Sequence, residues 1–219
     1  MDNREMFNLA GMVLAPWIQK ASALIGVHRQ VGGNQFRHCM AAMTILIDYH
    51  FVDSTMLKAS IIHDLLEDFS AADKDDIRNV DAEGEKVLML VLELTRDSKK
   101  ETKKEYLHRL IHHSSPQAKI VKLADRISNL TDLHLFVFSK EKTENYLNQT
   151  EEMIYPMIEE LLKSDITDEQ KKMVIEMKKE IEDLIYIRRM YLKEFHSYES
   201  IRLNLLKKVS FGRTSRKIE

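Results

Sequence analysis

The sequence is poor in the residues that break or cross-link a chain. Its 219 residues include one cysteine, three prolines and six glycines, and 7% of them are aromatic. The single cysteine, Cys39, excludes an intrachain disulfide and is compatible with a reducing compartment. The scarcity of turn-forming residues, together with 44% hydrophobic residues, favours a packed helical protein over a turn-rich β protein.

Long hydrophobic runs and an excess of one charge are also missing. No stretch approaches the ~18 consecutive apolar residues from which a transmembrane helix is predicted. The first residues lack a basic segment followed by a long apolar one, so no secretory signal is predicted. The formal net charge of −2 gives no overall field to attract nucleic acid or a membrane surface. We therefore expect a cytoplasmic protein that binds neither membrane nor nucleic acid, and the composition leaves a homo-oligomer open.

The spacing of the apolar residues indicates the fold class. They recur at three- and four-residue steps, and no segment of useful length alternates apolar with polar residues. This pattern predicts an all-α fold of about nine helices. Helix starts are predicted at Asp53 or Ser54, at Asp81, and at Ser115-Pro116, because such residues cap a helix or fit its first turn.

The character of the chain changes after about residue 163, where it becomes rich in Lys and Glu. A capping box is predicted at Thr167 and Gln170, at the start of a further helix. Residues 202–219 are predominantly basic. We therefore predict a domain of residues 1–163 and a helical C-terminal extension with a basic tail, residues 164–219.

The most informative segment is IIHDLLED, residues 61–68, which we expect to lie inside one helix. At ~100° per residue its four ionisable residues fall within an arc of about 140°, opposite the apolar ones. These residues are His63, Asp64, Glu67 and Asp68. A solvated helix surface would produce the same pattern, so this segment alone leaves both interpretations open.

A second segment, KLADRISN at residues 122–129, favours a functional site. Asp125 and Asn129 stand four residues apart and therefore project from one face of a helix. Asp125 follows the largely apolar run IVKLA, and a carboxylate is costly to bury without a cation or a set of hydrogen-bond donors. A metal ion would offset this cost.

His38, which follows the glycine-containing segment at residues 31–34, completes a candidate ligand set. The set has two imidazoles and two carboxylates: His38, His63, Asp64 and Asp125. Mixed nitrogen and oxygen ligation suits Mn²⁺ or Fe²⁺, with Mg²⁺ and Co²⁺ as alternatives, better than a thiolate-rich zinc site does. We predict Mn²⁺. Such an ion acidifies a bound water and neutralises charge on a phosphoryl oxygen, and both effects serve phosphoester hydrolysis.

These motifs resemble those of the HD phosphohydrolase superfamily, which has a first His, a His-Asp doublet and a distant Asp. The stretch HDLLED, residues 63–68, is similar to the HDxxED signature of the hydrolase domains of RelA/SpoT proteins and of small stand-alone alarmone hydrolases. KLADRISNL, residues 122–130, is similar to their KLADRxxNL segment. The resemblance covers about residues 21–158, and the chain length resembles that of the stand-alone enzymes. It implies an HD-domain helical bundle with additional C-terminal helices.

The resemblance also implies an activity and a role for each motif residue. The activity is 3′-pyrophosphohydrolysis of ppGpp or pppGpp, which yields GDP or GTP and pyrophosphate. Glu67 and Asp68 would position or deprotonate the attacking water. The residues that would hold Mn²⁺ are His38, His63, Asp64 and Asp125.

Substrate contacts are implied at three further positions. Arg29 stands where the family has a basic residue that stacks on the guanine. Asn129 stands at the place of a ribose or phosphate contact. Tyr146 lies where family members often carry a tyrosine near the nucleotide.

Two departures from the family pattern leave other functions open. The segment GNQFRH, residues 33–38, is one residue shorter than the usual run before the first ligand and has Phe in place of Tyr. His28-Arg29 replaces a frequent Arg-Lys pair. These changes leave open an HD phosphohydrolase for another nucleotide, such as NADPH or a deoxynucleotide. A catalytically silent helical module that binds a nucleotide, or a partner through residues 202–217, is a further alternative.

Overall fold

The computed structural model describes residues 1–133 and 140–213, with side chains described as far as residue 194. The predicted basic tail lies outside the described side chains. The all-α prediction is confirmed, because the described residues form helices and their only β-type pairing is an isolated bridge between His28 and Asn34. A short 3₁₀ turn covers Ser22–Gly26. The α-helices are α1 (Asn3–Gly11), α2 (Ala15–Ala21), α3 (Gln35–Asp48), α4 (Ser54–Ile62), α5 (Leu65–Asp68), α6 (Lys74–Arg78), α7 (Gly84–Leu94), α8 (Lys103–His112), α9 (Pro116–Asp132), α10 (Lys140–Lys163) and α11 (Asp168–Arg213).

The described ranges contain more helices than expected, partly because the prediction of one helix through residues 61–68 is wrong. Helix α4 ends at Ile62 and α5 begins at Leu65. Between them His63 keeps helical dihedrals, but ψ is −3° at Asp64, which turns the next peptide out of the α4 hydrogen-bond ladder. The His-Asp doublet therefore forms a tight turn between two helices.

Three of the predicted helix starts are confirmed by their capping hydrogen bonds. The Asp53 carboxylate accepts a hydrogen bond from the backbone N–H of Met56 at 2.9 Å, at the start of α4. The Ser115 hydroxyl caps α9, whose first residue is Pro116. Thr167 and Gln170 exchange backbone-to-side-chain hydrogen bonds at the start of α11, as a capping box requires.

The predicted start at Asp81 is wrong, because α7 begins at Gly84. A Cβ at Gly84 would lie 2.1 Å from the carbonyl oxygen of Arg78, so only glycine allows α7 to start this close to the end of α6. The Asp81 carboxylate accepts hydrogen bonds from Trp17 and Lys58 at 2.8 Å each.

Helix α9 lies at the centre of the bundle and packs against α3, α4, α7, α8, α10 and α11. Helix α4 is buried on every side from Met56 to Ile62, which accounts for its largely apolar sequence there, with Lys58 and Ser60 as the polar exceptions. Helix α3 packs against both α4 and α9. The three candidate motifs therefore meet where α3, α9 and the end of α4 come together.

The first part of the C-terminal extension packs back onto this bundle. The buried face of α11 lies against α9 and α10 and includes Val174, Met177, Ile181, Ile185 and Leu192. The Arg188 guanidinium donates hydrogen bonds to the carbonyls of Leu130 and Thr131, at 2.9 Å each. It thereby satisfies carbonyl groups in the last turn of α9. The domain boundary near residue 163, where α10 ends, stays a prediction.

In the described ranges, no single helix is both long enough and apolar enough to cross a membrane. The segments Asn3–Gly11 and Ala15–Gly26 meet that test only as a pair, across a bend of 65°.

Candidate metal centre

The first candidate ligand is positioned by a glycine turn. Gly32 and Gly33 have φ values of 92° and 71°, which residues with a Cβ rarely adopt. Asn34 then caps α3, with its side chain accepting a hydrogen bond from the N–H of Arg37 at 2.9 Å. This local structure places His38 in the first turn of α3, where it is buried against α9.

The four candidate ligands lie together. His38 Nε2 is 3.0 Å from Asp125 Oδ1 and 3.6 Å from Asp64 Oδ2. His63 Nε2 is 3.3 Å from Asp64 Oδ1 and 3.7 Å from Asp125 Oδ1. Ligand atoms of His38, His63 and Asp125 all lie within 4.8 Å of one another. Two imidazoles and the Asp125 carboxylate thus face a common point, and the Asp64 carboxylate lies beside both imidazoles.

The orientation of His63 leaves one nitrogen available. Its Nδ1 lies 2.8 Å from the carbonyl oxygen of Ser60. A carbonyl only accepts hydrogen bonds, so Nδ1 carries a proton and the other nitrogen can offer a lone pair. That nitrogen, Nε2, is buried and has no hydrogen-bond partner among the described residues. A lone pair directed at two carboxylates is unfavourable unless a proton or a metal cation lies between them.

Asp125 uses its two carboxylate oxygens differently. Oδ2 accepts an ion-paired hydrogen bond from Lys122 at 2.6 Å, whereas Oδ1 faces the two histidines. His38 is held from its other side, because its Nδ1 lies 2.9 Å from the Ser128 hydroxyl. Such supporting contacts orient ligands in known metal sites.

Charge interactions in the cluster are strong. Burial alone would raise the pKa of Asp125, but the Lys122 ammonium and the neighbouring imidazoles of His38 and His63 hold it well below its usual range. Burial alone would lower the pKa of His63, but the Asp64 carboxylate and other neighbours raise it well above its usual range. The carboxylates of Asp64 and Asp125 therefore favour a positive charge at His63, which a bound metal cation would supply.

These observations test whether the residues fit a divalent ion. The donor set is mixed nitrogen and oxygen, it is buried, and one imidazole nitrogen lacks a partner. Buried charged groups of this kind are normally paired or bound to a metal. The donor set therefore fits a divalent cation of the Mn²⁺ or Fe²⁺ type.

Two further carboxylates lie on α5, directly after the His-Asp turn. Glu67 and Asp68 are exposed residues, and partial burial of their carboxyl groups raises the pKa of each. The Asp64 carboxylate raises both pKa values further. Gln35 donates a hydrogen bond to Asp68, and the backbone N–H of Arg96 donates one to Glu67 at 3.4 Å. Both carboxylates are thus held at the solvent side of the cluster, in a state that favours proton uptake.

The three predicted substrate contacts line one pocket of about 280 Å³. Arg29, Asn129 and Tyr146 all contribute to its wall. The Asn129 amide also donates hydrogen bonds to the carbonyl and the carboxylate of Asp125, which links this pocket to the ligand cluster. The prediction that Asp125 and Asn129 share one face of a helix is therefore confirmed.

Arg29 is more enclosed than a freely available stacking residue. Its side chain is 7% exposed, and it donates hydrogen bonds to Asp132 and to the Asn129 side-chain oxygen, the latter at 2.8 Å. Tyr146 is half-buried, with the Arg126 guanidinium 4.9 Å from its ring centroid. The hydrogen bonds to Asp132 and Asn129 thus hold the edge of the Arg29 guanidinium in place.

Three supporting residues were not identified from the sequence. Lys122 and Ser128 each stand three residues from Asp125 on α9, a spacing that could have indicated a shared face. Gln35 stands three residues before His38 on α3, by the same rule. Burial also raises the pKa of the Cys39 thiol, which lies beside His63.

A solved structure has a similar fold. The chain matches a solved structure with a TM-score of 0.58 at 22% identity, over 81% of this chain and 94% of the other. That structure is of a metazoan orthologue of SpoT that hydrolyses ppGpp and plays a role in starvation responses. The two proteins share a fold. No protein-family model matches the sequence.

Two curated relatives are similar in sequence. Both are named guanosine-3′,5′-bis(diphosphate) 3′-pyrophosphohydrolase MESH1. The Mus musculus protein is 38% identical over 86 residues, which is 37% of this chain and 45% of the relative. The Drosophila melanogaster protein is 31% identical over 115 residues, which is 50% of this chain and 63% of the relative. The matches thus span roughly half of the length of these relatives, and the chain resembles ppGpp hydrolases of the HD type.

Proposed function

We propose that this protein is a metal-dependent 3′-pyrophosphohydrolase that converts ppGpp or pppGpp to GDP or GTP and pyrophosphate. The observation that carries the proposal is the buried, unpartnered Nε2 of His63, which faces Asp64 and Asp125 beside His38. The similarity to proteins named as ppGpp hydrolases supports the choice of substrate.

Mn²⁺ is the proposed ion, with Fe²⁺, Mg²⁺ and Co²⁺ as alternatives, and four side chains would hold it. When bound, the ion supplies Lewis acidity, which acidifies water and neutralises charge on a phosphoryl oxygen. The hydrogen bonds from His63 to Ser60 and between His38 and Ser128 hold both imidazoles in place for this role. The proposed ligands are His38, His63, Asp64 and Asp125.

Glu67 and Asp68 are the proposed acceptors of the proton that the attacking water loses. Their raised pKa values make them better proton acceptors than ordinary carboxylates, and Gln35 holds the Asp68 carboxylate in place. In the reaction, a water oxygen forms a bond to phosphorus while the bond between the 3′ oxygen and the pyrophosphate group breaks. The 3′ oxygen then takes up a proton to give the hydroxyl of GDP or GTP.

The pocket beside the cluster is the proposed nucleoside site. In this proposal the guanine lies against the Arg29 guanidinium, which Asp132 and Asn129 hold by its edge. Asn129 contacts the ribose or a phosphate, and Tyr146 forms a further part of the pocket wall. Since Asn129 also binds Asp125, a nucleotide in this pocket would have its 3′ group near the ligand cluster.

The test is to follow ppGpp by anion-exchange chromatography with Mn²⁺-loaded protein. We expect GDP and pyrophosphate to form, and to be lost in Asp64→Ala and after EDTA treatment. His112→Gln, which changes an exposed histidine on α8, is the matched control and should retain full activity. The absence of turnover by folded, Mn²⁺-loaded protein would reject this substrate, and inertness on every nucleotide would favour a silent binding module.

A second candidate keeps the metal chemistry but changes the nucleotide to NADPH or a deoxynucleotide. The small exposed fraction of Arg29, 7%, favours it, because little of the guanidinium is left to stack on a guanine. Saturable activity on NADPH, in the absence of activity on ppGpp, would decide in favour of this candidate.

We further propose that residues 1–163 carry the chemistry and that residues 164–219 form a supporting extension. The contacts of Arg188 with the last turn of α9 support this role, since α9 also carries Asp125 and Asn129.

The single cysteine is consistent with action in the cytoplasm, which we propose as the location. The net charge of −2 supports the proposal that neither a membrane nor a nucleic acid is a partner, and a homo-oligomer remains open.

A further inference from the structure

Cys39 belongs to a second group of possible metal ligands, which shares His63 with the first group. It directly follows His38 on α3 and its side chain is completely buried. Its Sγ, a ring nitrogen of His63 and a carboxylate oxygen of Asp64 all lie within 4.8 Å of one another. The thiol therefore faces an imidazole whose available nitrogen has no hydrogen-bond partner in the described part of the chain.

The two groups of ligands cannot be filled at the same time. His63 has only one nitrogen to offer, because Nδ1 donates to the Ser60 carbonyl. Asp64 belongs to the Cys39 group, and its carboxylate also lies 3.6 Å from His38 Nε2, so an ion on the Cys39 side would draw this carboxylate from the His38 side. An ion bound on the Cys39 side would therefore withdraw ligands from an ion bound on the His38 side.

The two groups differ in chemical preference. The His38 side offers nitrogen and oxygen donors, which suit Mn²⁺. The Cys39 side adds sulfur, and sulfur with imidazole and carboxylate in a four-coordinate arrangement suits Zn²⁺, with water as the fourth ligand. Zinc also binds such donors more strongly than manganese does.

We propose that Cys39, His63 and Asp64 form an alternative zinc site whose occupation excludes Mn²⁺ from the centre and so inhibits the enzyme. Binding replaces the thiol proton by the ion, and the proton passes to solvent. The inference rests on the metal centre of the proposed function, but not on the identity of its substrate.

The direct test is zinc X-ray absorption on metal-free protein that has received half an equivalent of Zn²⁺. We expect one sulfur neighbour at about 2.3 Å, in addition to nitrogen and oxygen neighbours at about 2.0–2.2 Å. Cys39→Ser and Cys39→Ala should each lose the sulfur neighbour. This loss would show that the neighbour is the Cys39 thiolate and not a methionine sulfur. His112→Gln, at an exposed histidine on α8, should keep it. A wild-type spectrum with nitrogen and oxygen neighbours alone would overturn the proposal.

The second test measures exclusion by the electron paramagnetic resonance signal of free Mn²⁺. Addition of Zn²⁺ to the Mn²⁺-loaded protein should release Mn²⁺, and Cys39→Ser should need roughly tenfold more zinc for the same release, since even supporting contacts at metal sites change affinity by about 10–100-fold. Equal zinc requirements for the two proteins would contradict the proposal.

The outcomes distinguish failure of the zinc site from failure of the proposed metal centre or of its substrate. If wild-type protein binds no Mn²⁺ in this assay, the proposed metal centre fails, and the inference fails with it. If Mn²⁺ binds but the sulfur neighbour is missing, the inference alone fails. If the sulfur neighbour is present and ppGpp is not hydrolysed, the zinc site stands and the substrate is wrong.

Discussion

Two buried polar clusters in this protein differ in how their charges are satisfied. In the first, the buried Lys58 ammonium binds Asp81 at 2.8 Å and Glu83 at 2.6 Å. Trp17 and Ser54 donate further hydrogen bonds to the same two carboxylates. The second cluster is the ligand set of the candidate metal centre, where the Nε2 of His63 has no partner among the described residues.

This difference indicates that the Lys58 cluster is structural and that the His63 cluster is suited to bind a ligand. Lys58, Trp17 and Ser54 supply one cation and further hydrogen-bond donors, so the fold itself gives both carboxylates partners. The His63 cluster has the Lys122 ammonium on one oxygen of Asp125 but no other permanent cation in contact with Asp64 or the histidines in the described ranges. A buried cluster is therefore a better functional candidate when its own residues leave a charge or a lone pair unmatched.

The largest expected effect is on activity. Asp64→Asn should lower kcat/KM on the proposed substrate by about 10³-fold or more, because several kcal/mol of charge stabilisation in the transition state are lost. Asp81→Asn, the matched change in the Lys58 cluster, should leave kcat/KM of the folded enzyme within about twofold, since the Asp81 carboxylate binds Trp17 and Lys58 and none of the proposed ligands. Similar losses in the two variants would remove the distinction between the clusters.

The next effect is on stability in the presence of the ion. Mn²⁺ at about 100 times its Kd should stabilise the wild-type protein by about 2.7 kcal/mol, as measured by denaturant unfolding with and without EDTA. Lys58→Met should show the same increment from a lower baseline, whereas His63→Gln should show little or none. An undiminished increment in His63→Gln would mean that Mn²⁺ binds elsewhere.

Removal of the structural cation should destabilise the fold itself. Lys58→Met leaves Asp81 and Glu83 without their shared cation, and these carboxylates are 26% and 36% exposed. Because solvent screens them in part, we expect a loss of about 1–3 kcal/mol, below the range for a fully buried pair. Unfolding in EDTA is the measurement, and the absence of any loss would show that this cluster is dispensable.

The smallest effect concerns pH. The pKa of Glu67 lies above its ordinary value of 4.5, so the folded state binds the proton of Glu67 more tightly than the unfolded state does. Stability from this group is present below the unfolded pKa and is lost as pH rises through the folded pKa. Glu67→Gln in EDTA should therefore melt at a higher temperature than wild type near neutral pH, with the difference vanishing at low pH. A lower melting temperature at neutral pH would contradict the sign of this shift.

The sequence was sufficient to predict that His and Asp residues from three separate segments form one cluster, but not the local backbone. Spacing alone linked Asp125 with Asn129, because residues four apart share a helix face. The turn at His63 and Asp64 could not be predicted, since residues 61–68 keep a helical pattern on both sides of it. The enclosure of Arg29 depends on Asp132, which is 103 residues away along the chain. Likewise, the position of Cys39 against His63 depends on how α3 packs on α4.

The central claim is that the His63 cluster is a metal centre. The most direct measurement is an anomalous difference map at the manganese absorption edge from crystals of Mn²⁺-loaded protein. The account predicts one strong peak in contact with His38, His63, Asp64 and Asp125, and no peak at Lys58. A fully loaded protein whose peak lay away from these four residues would contradict the account.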